Sequence, residues 1–483
     1  MFSRIQPVAR RSVFFLLLSA AALLAQAQST LPGSVQRALS AAKIPDAGVA
    51  VVVQEVGVHH DLVRNNAAAP MNPGSVMKLV TTYAALELLG PAYRWKTAAY
   101  AAGTLADGVL EGDLALKGGG DPKLDLEAFG RLVRALRGKG LREIRGGLLI
   151  DRSFFPSGGD PGRFDGDPFR PYNVLPDALL VNYKSLRFVF IPEPERGAVR
   201  VYAEPRPPAL EIVNVLRLAE GACLEGSAFR DLLKASYEPA RKRVVFSGQY
   251  RQSCGEKDMN VALLEPNDQV AGVLRELWAA SGGVWKETGN GDGVREGKLP
   301  PDAKLLHVQE SPPLAEIVHD TNKFSNNIMA RHLFLTLGAR NGGAPASAQA
   351  AAAAVRAWLA GKGIAAPELV MENGSGLSRA ERISAGSLAA LLQAAWKSAV
   401  MPEFIASMPI AGIDGTMRRR VRGESVAGQA HIKTGLLADV RAMAGYVLDR
   451  SGKRIAVVML VNHPNAQLAQ PAMDALLGWV YDR

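Results

Sequence analysis

The sequence predicts an α/β (α+β) domain with one antiparallel sheet flanked by helices, interrupted by a β-rich insertion of one or two subdomains. Three observations carry this. Strand-like runs stand near both chain ends, "AGVAVVVQEV" and "VHHDLVRNN" early, "VRAMAGYVLD" and "KRIAVVMLVNH" late. Helical, alanine-rich sequence dominates after Leu314. From about Trp95 to Lys298 the texture changes to short strand-like runs broken by turn residues. Strands at both ends with helices between them predict a single sheet in which the termini meet. Residues 28–94 and 302–483 are therefore assigned to one split domain and 95–301 to the insertion.

The elements follow in order. Residues 1–27 have a basic start (Arg4, Arg10, Arg11), an apolar run from Val13 to Ala25 and a small-x-small end at Ala25-Gln26-Ala27. That is the pattern of a signal peptide cleaved near Ala27, with an uncleaved anchor as the other reading. "VQRALSAAK" reads as a short helix, and the two early strands as a hairpin. The stretch Ser75 to Leu89 is apolar nearly all round, which predicts a buried helix. Gly90-Pro91 stops it. The insertion holds six strand-like stretches, including "KTAAYAAGTL", "REIRGGLLIDRSFF" and "KRVVFSGQY", and both cysteines. "GNGDGVREGK" (Gly289 to Lys298) reads as its exit loop; no strand and helix flank it as a nucleotide loop would require. Helices follow in "PLAEIVHDTNKFSNNIMARHLFLTLGA" and "ASAQAAAAAVRAWLAGKG", and "AQLAQPAMDALLGWVYD" closes the chain over the sheet.

Composition excludes several classes. The net charge of +10 falls to +7 once the three leader arginines are removed, an excess that favours anionic surroundings. No basic run interleaves with aromatics, so nucleic acid is not expected as a partner. The densest basic cluster, "MRRRVR" (Met417 to Arg422), reads as a solvated face. Seven histidines include no H-E-x-x-H and there is no Cys-x-x-Cys, so no metal site is expected. "NGSGLS" lacks the G-x-S-x-G spacing of a nucleophile elbow, and His431 is read as structural. Outside the leader, the longest apolar stretches, such as "IAVVMLV", have strand length. In an oxidising compartment Cys223 and Cys254 most simply form one disulfide; two buried thiols are the other reading.

One short stretch carries chemistry. In "MNPGSVMKLVTTYAALELLG", Ser75 and Lys78 stand three apart on one helix face. Serine needs a base to become a nucleophile. Lysine can be that base only where burial or another cation lowers its pKa, and a helix apolar all round can supply that burial. Two further elements follow in order. Ser325-Asn326-Asn327 open an apolar helix, and Lys433-Thr434-Gly435 lie next to a predicted strand. Ser-x-x-Lys, Ser-x-Asn and Lys-Thr-Gly in that order are the signature of penicillin-binding proteins and serine β-lactamases.

On these residues the chain resembles the class C low-molecular-mass penicillin-binding proteins, the D-alanyl-D-alanine carboxypeptidase/endopeptidase family. The likeness extends over "GDLALKGGGDP", "GGLLIDRSFF", "NGSGLSR" and "AGIDGTMRRR", and the long insertion between the first two motifs is that family's mark. The chain departs from the pattern at Asn373, where Asp is usual, and at Leu436, where a small hydroxyl residue is usual. The resemblance implies a serine β-lactamase/transpeptidase-like fold, no cofactor, and peptidoglycan stem peptides and β-lactams as partners, with peripheral wall or membrane association open. It implies roles as well. Ser75 is the nucleophile, Lys78 its base, and Ser325 a proton relay to the leaving group. Asn327 binds substrate amide and orients Lys78, while Lys433 and Thr434 hold the terminal carboxylate. Gly435 belongs to the same motif, and the N–H groups of Ser75 and Leu436 form an oxyanion hole. Asp151 and Arg379 are expected to grip the two ends of a zwitterionic side chain such as that of meso-diaminopimelate, with a solvated turn residue or a cap for the next segment as the other reading of Asp151. A β-lactamase-like hydrolase, or an inactive wall-binding protein of the same fold, is the alternative.

Overall fold

The structure is a computed structural model that describes residues 31–58, 60–286 and 293–483. The leader predicted at 1–27 lies outside them. The early and late strands form one five-stranded antiparallel sheet in the order Ala430–Leu437, Val440–Leu448, Arg454–Asn462, Val49–Glu55, Asp61–Asn65. Its central strands read as unbroken apolar runs because both faces are covered. Val49, Val51 and Val53 point to one core, with the first helix Gly33–Ala41 and the last, Gln470–Tyr481. Ala50 and Val52 point to the other, where the helix Met77–Leu89 is buried among the later helices. The period of two within a continuous apolar run thus serves two cores at once.

The insertion contributes a seven-stranded sheet whose hairpin, Lys96–Ala106 with Val109–Lys117, turns at Asp107-Gly108, both at positive φ. That conformation matches the twist of the flanking strands and suits Asp-Gly. A second core lies around Phe188, Phe190, Phe246 and Tyr250, under three smaller sheets. Cys223 and Cys254 are joined there as a disulfide, 31 positions apart. The insertion is not strands alone, however. Helices run over Leu126–Gly138, Gly226–Leu233 and Pro266–Ala280. The first was legible: Phe129, Leu132, Val133 and Leu136 line its buried face, and Asp125 caps it by accepting the Ala128 N–H at 2.8 Å.

The exit-loop reading of Gly289 to Lys298 is corrected in part. Val294–Glu296 is a strand paired parallel with Leu148–Asp151, whereas residues 289–292 lie outside the described ones. The chain leaves this sheet only after the strand Lys304–Glu310, which pairs with Lys96–Ala106. Among the described residues no helix is long and apolar enough to cross a membrane.

Candidate active site

Ser75 lies in the 3-10 turn Gly74–Val76 that leads into the helix Met77–Leu89. The turn is held by Asn72, whose Oδ1 accepts the Gly74 N–H at 2.9 Å and whose Nδ2 donates to Ser378 O at 2.8 Å. Asn72 is itself fastened to the sheet: its N–H donates to Asn462 Oδ1 at 2.7 Å, and Asn462 Nδ2 donates back to Asn72 O at 2.9 Å. Two glycines let neighbouring segments press onto this turn. A Cβ at Gly435 would collide with the carbonyl of Pro73, and one at Gly376, which has φ +82°, with the carbonyl of Gly74.

Lys78 is fully buried one turn along. Its Nζ is 2.9 Å from Ser75 Oγ, and donates to Asn327 Oδ1 at 2.6 Å and to the Ser375 carbonyl at 2.5 Å. Burial, then the charge of Lys433, hold its pKa well below the ordinary lysine value, against the pull of Glu381. Lys433 is equally buried and is pushed down to about 7 by desolvation. It donates to Ser325 Oγ and to Thr434 O, both at 2.8 Å. Ser325 stands at φ +56°, between the helices Leu314–Lys323 and Asn327–Gly342. A non-glycine residue there is strained by about 1–3 kcal/mol, and its hydroxyl accepts from Lys433. All five residues read as catalytic are therefore in one place. Lys433-Thr434-Gly435 proves to lie inside a strand, Ala430–Leu437, at the edge of the sheet, rather than beside one. Leu436 turns its side chain outward, 53% exposed, while its backbone N faces Gly74.

Several residues at the site carry no motif of their own. Thr416 Oγ1 lies 2.9 Å from Thr434 Oγ1. Its loop is held by the buried Lys323, which pairs with Asp414 at 2.8 Å. Glu381 is fully buried, and its Oε1 accepts the N–H groups of Glu372, Asn373 and Gly374 at 3.2, 3.0 and 2.9 Å. These bonds shape the loop whose Ser375 carbonyl receives Lys78. The same loop explains how Asn373 stands where Asp is usual: its Oδ1 accepts from Ser375 N and Oγ, at 2.9 and 2.7 Å, as a carboxylate would.

The two side-chain-reading residues fare differently. Arg379 lines a cavity of about 600 Å³ between the insertion and the helix Asn327–Gly342, its guanidinium 4.9 Å from the Phe164 ring and 3.0 Å from Asp439. Asp151 does not reach it. Asp151 is buried at the end of Leu148–Asp151, its carboxylate accepting the N–H groups of Ser153 at 2.9 Å and Leu299 at 3.0 Å, with Lys117 3.9 Å away. It braces two loops, so the expectation for Asp151 is corrected. Two acids line the cavity with Arg379: Glu372, which accepts from the Ser378 hydroxyl, and Asp160, nine positions beyond Asp151 and exposed. No periodicity or motif separated Asp151 from Asp160, because the intervening loop decides which of them lines the cavity. Among the described residues no group of acids, histidines or cysteines could hold a metal.

Comparisons with known proteins place nearly the whole chain among described relatives. The chain is 29% identical over 420 residues to a D-alanyl-D-alanine carboxypeptidase of Actinomadura sp. (strain R39), covering 83% of this chain and 76% of that one. It is 23% identical over 426 residues to the D-alanyl-D-alanine carboxypeptidase DacB of Haemophilus influenzae, covering 87% and 86%. The crystal structure of penicillin binding protein 4 (dacB) from Haemophilus influenzae superposes with a TM-score of 0.75 at 23% identity, over 93% of this chain and 99% of that one. This likeness shows that the fold, insertion included, is shared over nearly the whole described chain. A profile of the D-Ala-D-Ala carboxypeptidase 3 (S13) family matches residues 31–481, and the chain belongs to that family.

Proposed function

We propose that the protein is an exported serine D-alanyl-D-alanine carboxypeptidase and endopeptidase that cleaves peptidoglycan stem peptides and their cross-links, and that penicillin acylates Ser75. The observation that carries this is the surroundings of Lys78 Nζ. A neutral amine has two N–H groups, and two acceptors, Asn327 Oδ1 and Ser375 O, take them. The lone pair is then left facing Ser75 Oγ at 2.9 Å, the position of a base for that hydroxyl. Desolvation and the neighbouring Lys433 favour the neutral form.

Ser75 Oγ attacks the carbonyl of the penultimate D-alanine while Lys78 takes its proton. The N–H groups of Ser75 and Leu436 stabilise the oxyanion, which makes the side chain at 436 immaterial to that step. The carbon–nitrogen bond breaks, and Ser325 passes a proton to the leaving amine. Asn327 holds Lys78 in place and meets substrate amide. Lys433 and Thr434, with Thr416 beside them, bind the carboxylate of the leaving residue. Water then hydrolyses the acyl-enzyme. On the acyl side, Asp160 and Arg379 grip the amino and carboxylate ends of a diamino-acid side chain in the large cavity. The paired cysteines favour an oxidising compartment, in keeping with a leader at 1–27. That a Haemophilus influenzae penicillin binding protein 4 of the same fold has been crystallised with a β-lactam supports the penicillin step.

Incubation with labelled penicillin and mapping of the modified peptide tests the assignment. Label is expected on Ser75, and none is expected in Ser75→Ala. Labelling of that variant at another serine would overturn it.

A further inference from the structure

Ser75 opens on a second cavity, of about 420 Å³, which Arg379 does not line. It is several times larger than one leaving D-alanine requires. Its charge is one-sided, for among the described residues neither Asp nor Glu lines it. Three arginines do. Arg420 is spoken for, its Nε 3.0 Å from Asp474 Oδ1. Arg441 stands on the neighbouring strand opposite Leu436, lines the cavity and makes no ion pair among the described residues. Arg419 is exposed at the rim and has no ion pair among the described residues; Glu225, whose carboxylate feels its charge, is bonded to Lys257 at 2.7 Å. Leu436 and Met473 add an apolar wall. The basic cluster that reads from sequence as a solvated face thus contributes to a walled, cationic pocket beside the nucleophile.

We infer that Arg441 and Arg419 bind a second carboxylate on the leaving amine, beyond the α-carboxylate taken by Lys433 and Thr434. The substrate class is a peptide whose leaving residue carries an acid at the end of an aliphatic side chain or a further acidic peptide, as the acceptor half of a cross-link does. This inference rests on the DD-peptidase reading above. It gives the leaving side its own specificity: D-alanine fills only the first carboxylate position, whereas an acidic branched amine fills both.

The test uses three probes with one acyl half, ending in D-Ala–D-Ala, in D-Ala–D-2-aminopimelate, and in the distal amide of the latter. Charge-assisted hydrogen bonds of this kind are worth on the order of tenfold. Wild type should therefore cleave the distal acid on the order of tenfold more efficiently, in kcat/KM, than its amide. The double variant R419Q/R441Q should bring that ratio to about one, with penicillin labelling reporting that it has folded. A wild-type ratio near one, or a ratio unchanged in the double variant, would overturn the inference while cleavage of D-Ala–D-Ala left the peptidase reading standing. Cleavage of none of the three probes by wild type would sink both.

Discussion

The two cavities that flank the lysine pair are built from different parts of the chain. The larger takes one wall from the insertion, through Asp160, Arg163 and Phe164, and holds charges of both signs. The smaller is made from the split domain alone, from Ser75 and Ser325 to Met473, and carries only positive charge. The difference assigns two origins to specificity. On the proposed reading, recognition of the acyl half is added by the inserted subdomain, and recognition of the leaving half by the sheet edge and the loop after Asp414. Between them sits machinery that serves both, so a change there should affect every substrate alike, and a change in either wall should affect only one half.

The largest effect is expected at the shared centre. Lys78→Ala should slow acylation by penicillin and by every peptide by about 10²–10⁴-fold. A stopped-flow acylation rate near that of wild type would remove Lys78 as the base. The same centre predicts the pH profile. A lysine with a depressed pKa regains its proton, and ceases to be a base, as pH falls. Acylation should thus decline as pH falls through the depressed pKa of Lys78, and this should hold for substrates of both kinds. A rate independent of pH across that range would contradict it.

The disulfide lies outside both walls, in a part of the insertion that neither cavity uses. Replacing Cys223 and Cys254 by serine should cost about 3–4 kcal/mol in the chain-entropy account of a loop of this size, read from denaturant unfolding. Selectivity between substrates should stay unchanged; a shift in it would mean the subdomain reaches the site after all.

Asp160 and Asp151 then separate recognition from bracing. Asp160→Asn should lower kcat/KM for stem peptides with a free diamino-acid amine by on the order of tenfold, with little effect on penicillin acylation. Asp151→Asn should do the reverse. It exchanges one acceptor for a donor facing a backbone N–H, at a stability cost of about 1–3 kcal/mol, visible as a lower melting temperature with the substrate ratio intact. If Asp151→Asn altered that ratio and Asp160→Asn did not, the assignment of the cavity wall would be inverted.

Much of this was already present in the residue order. Unbroken apolar runs of strand length, such as "IAVVMLV", marked the strands at both chain ends because a strand covered on both faces is apolar throughout. Ser75, Lys78, Ser325, Asn327 and Lys433 were legible because the chemistry needs those side chains and their short spacings are local. Three things were not. Glu381 acts through three backbone N–H groups, and a carboxylate's use as a loop brace leaves no sequence pattern. Asp151 ends a strand and Asp160 lies nine positions on in the loop that follows, and only the path of that loop says which one lines the cavity with Arg379. The arginines at 419 and 441 come from separate segments, so their convergence beside Ser75 depends on how the loop after Asp414 packs on the sheet edge. Local sequence determines what a residue can do and which element carries it; the meeting of residues far apart in the chain depends on long-range packing, which no window of sequence contains.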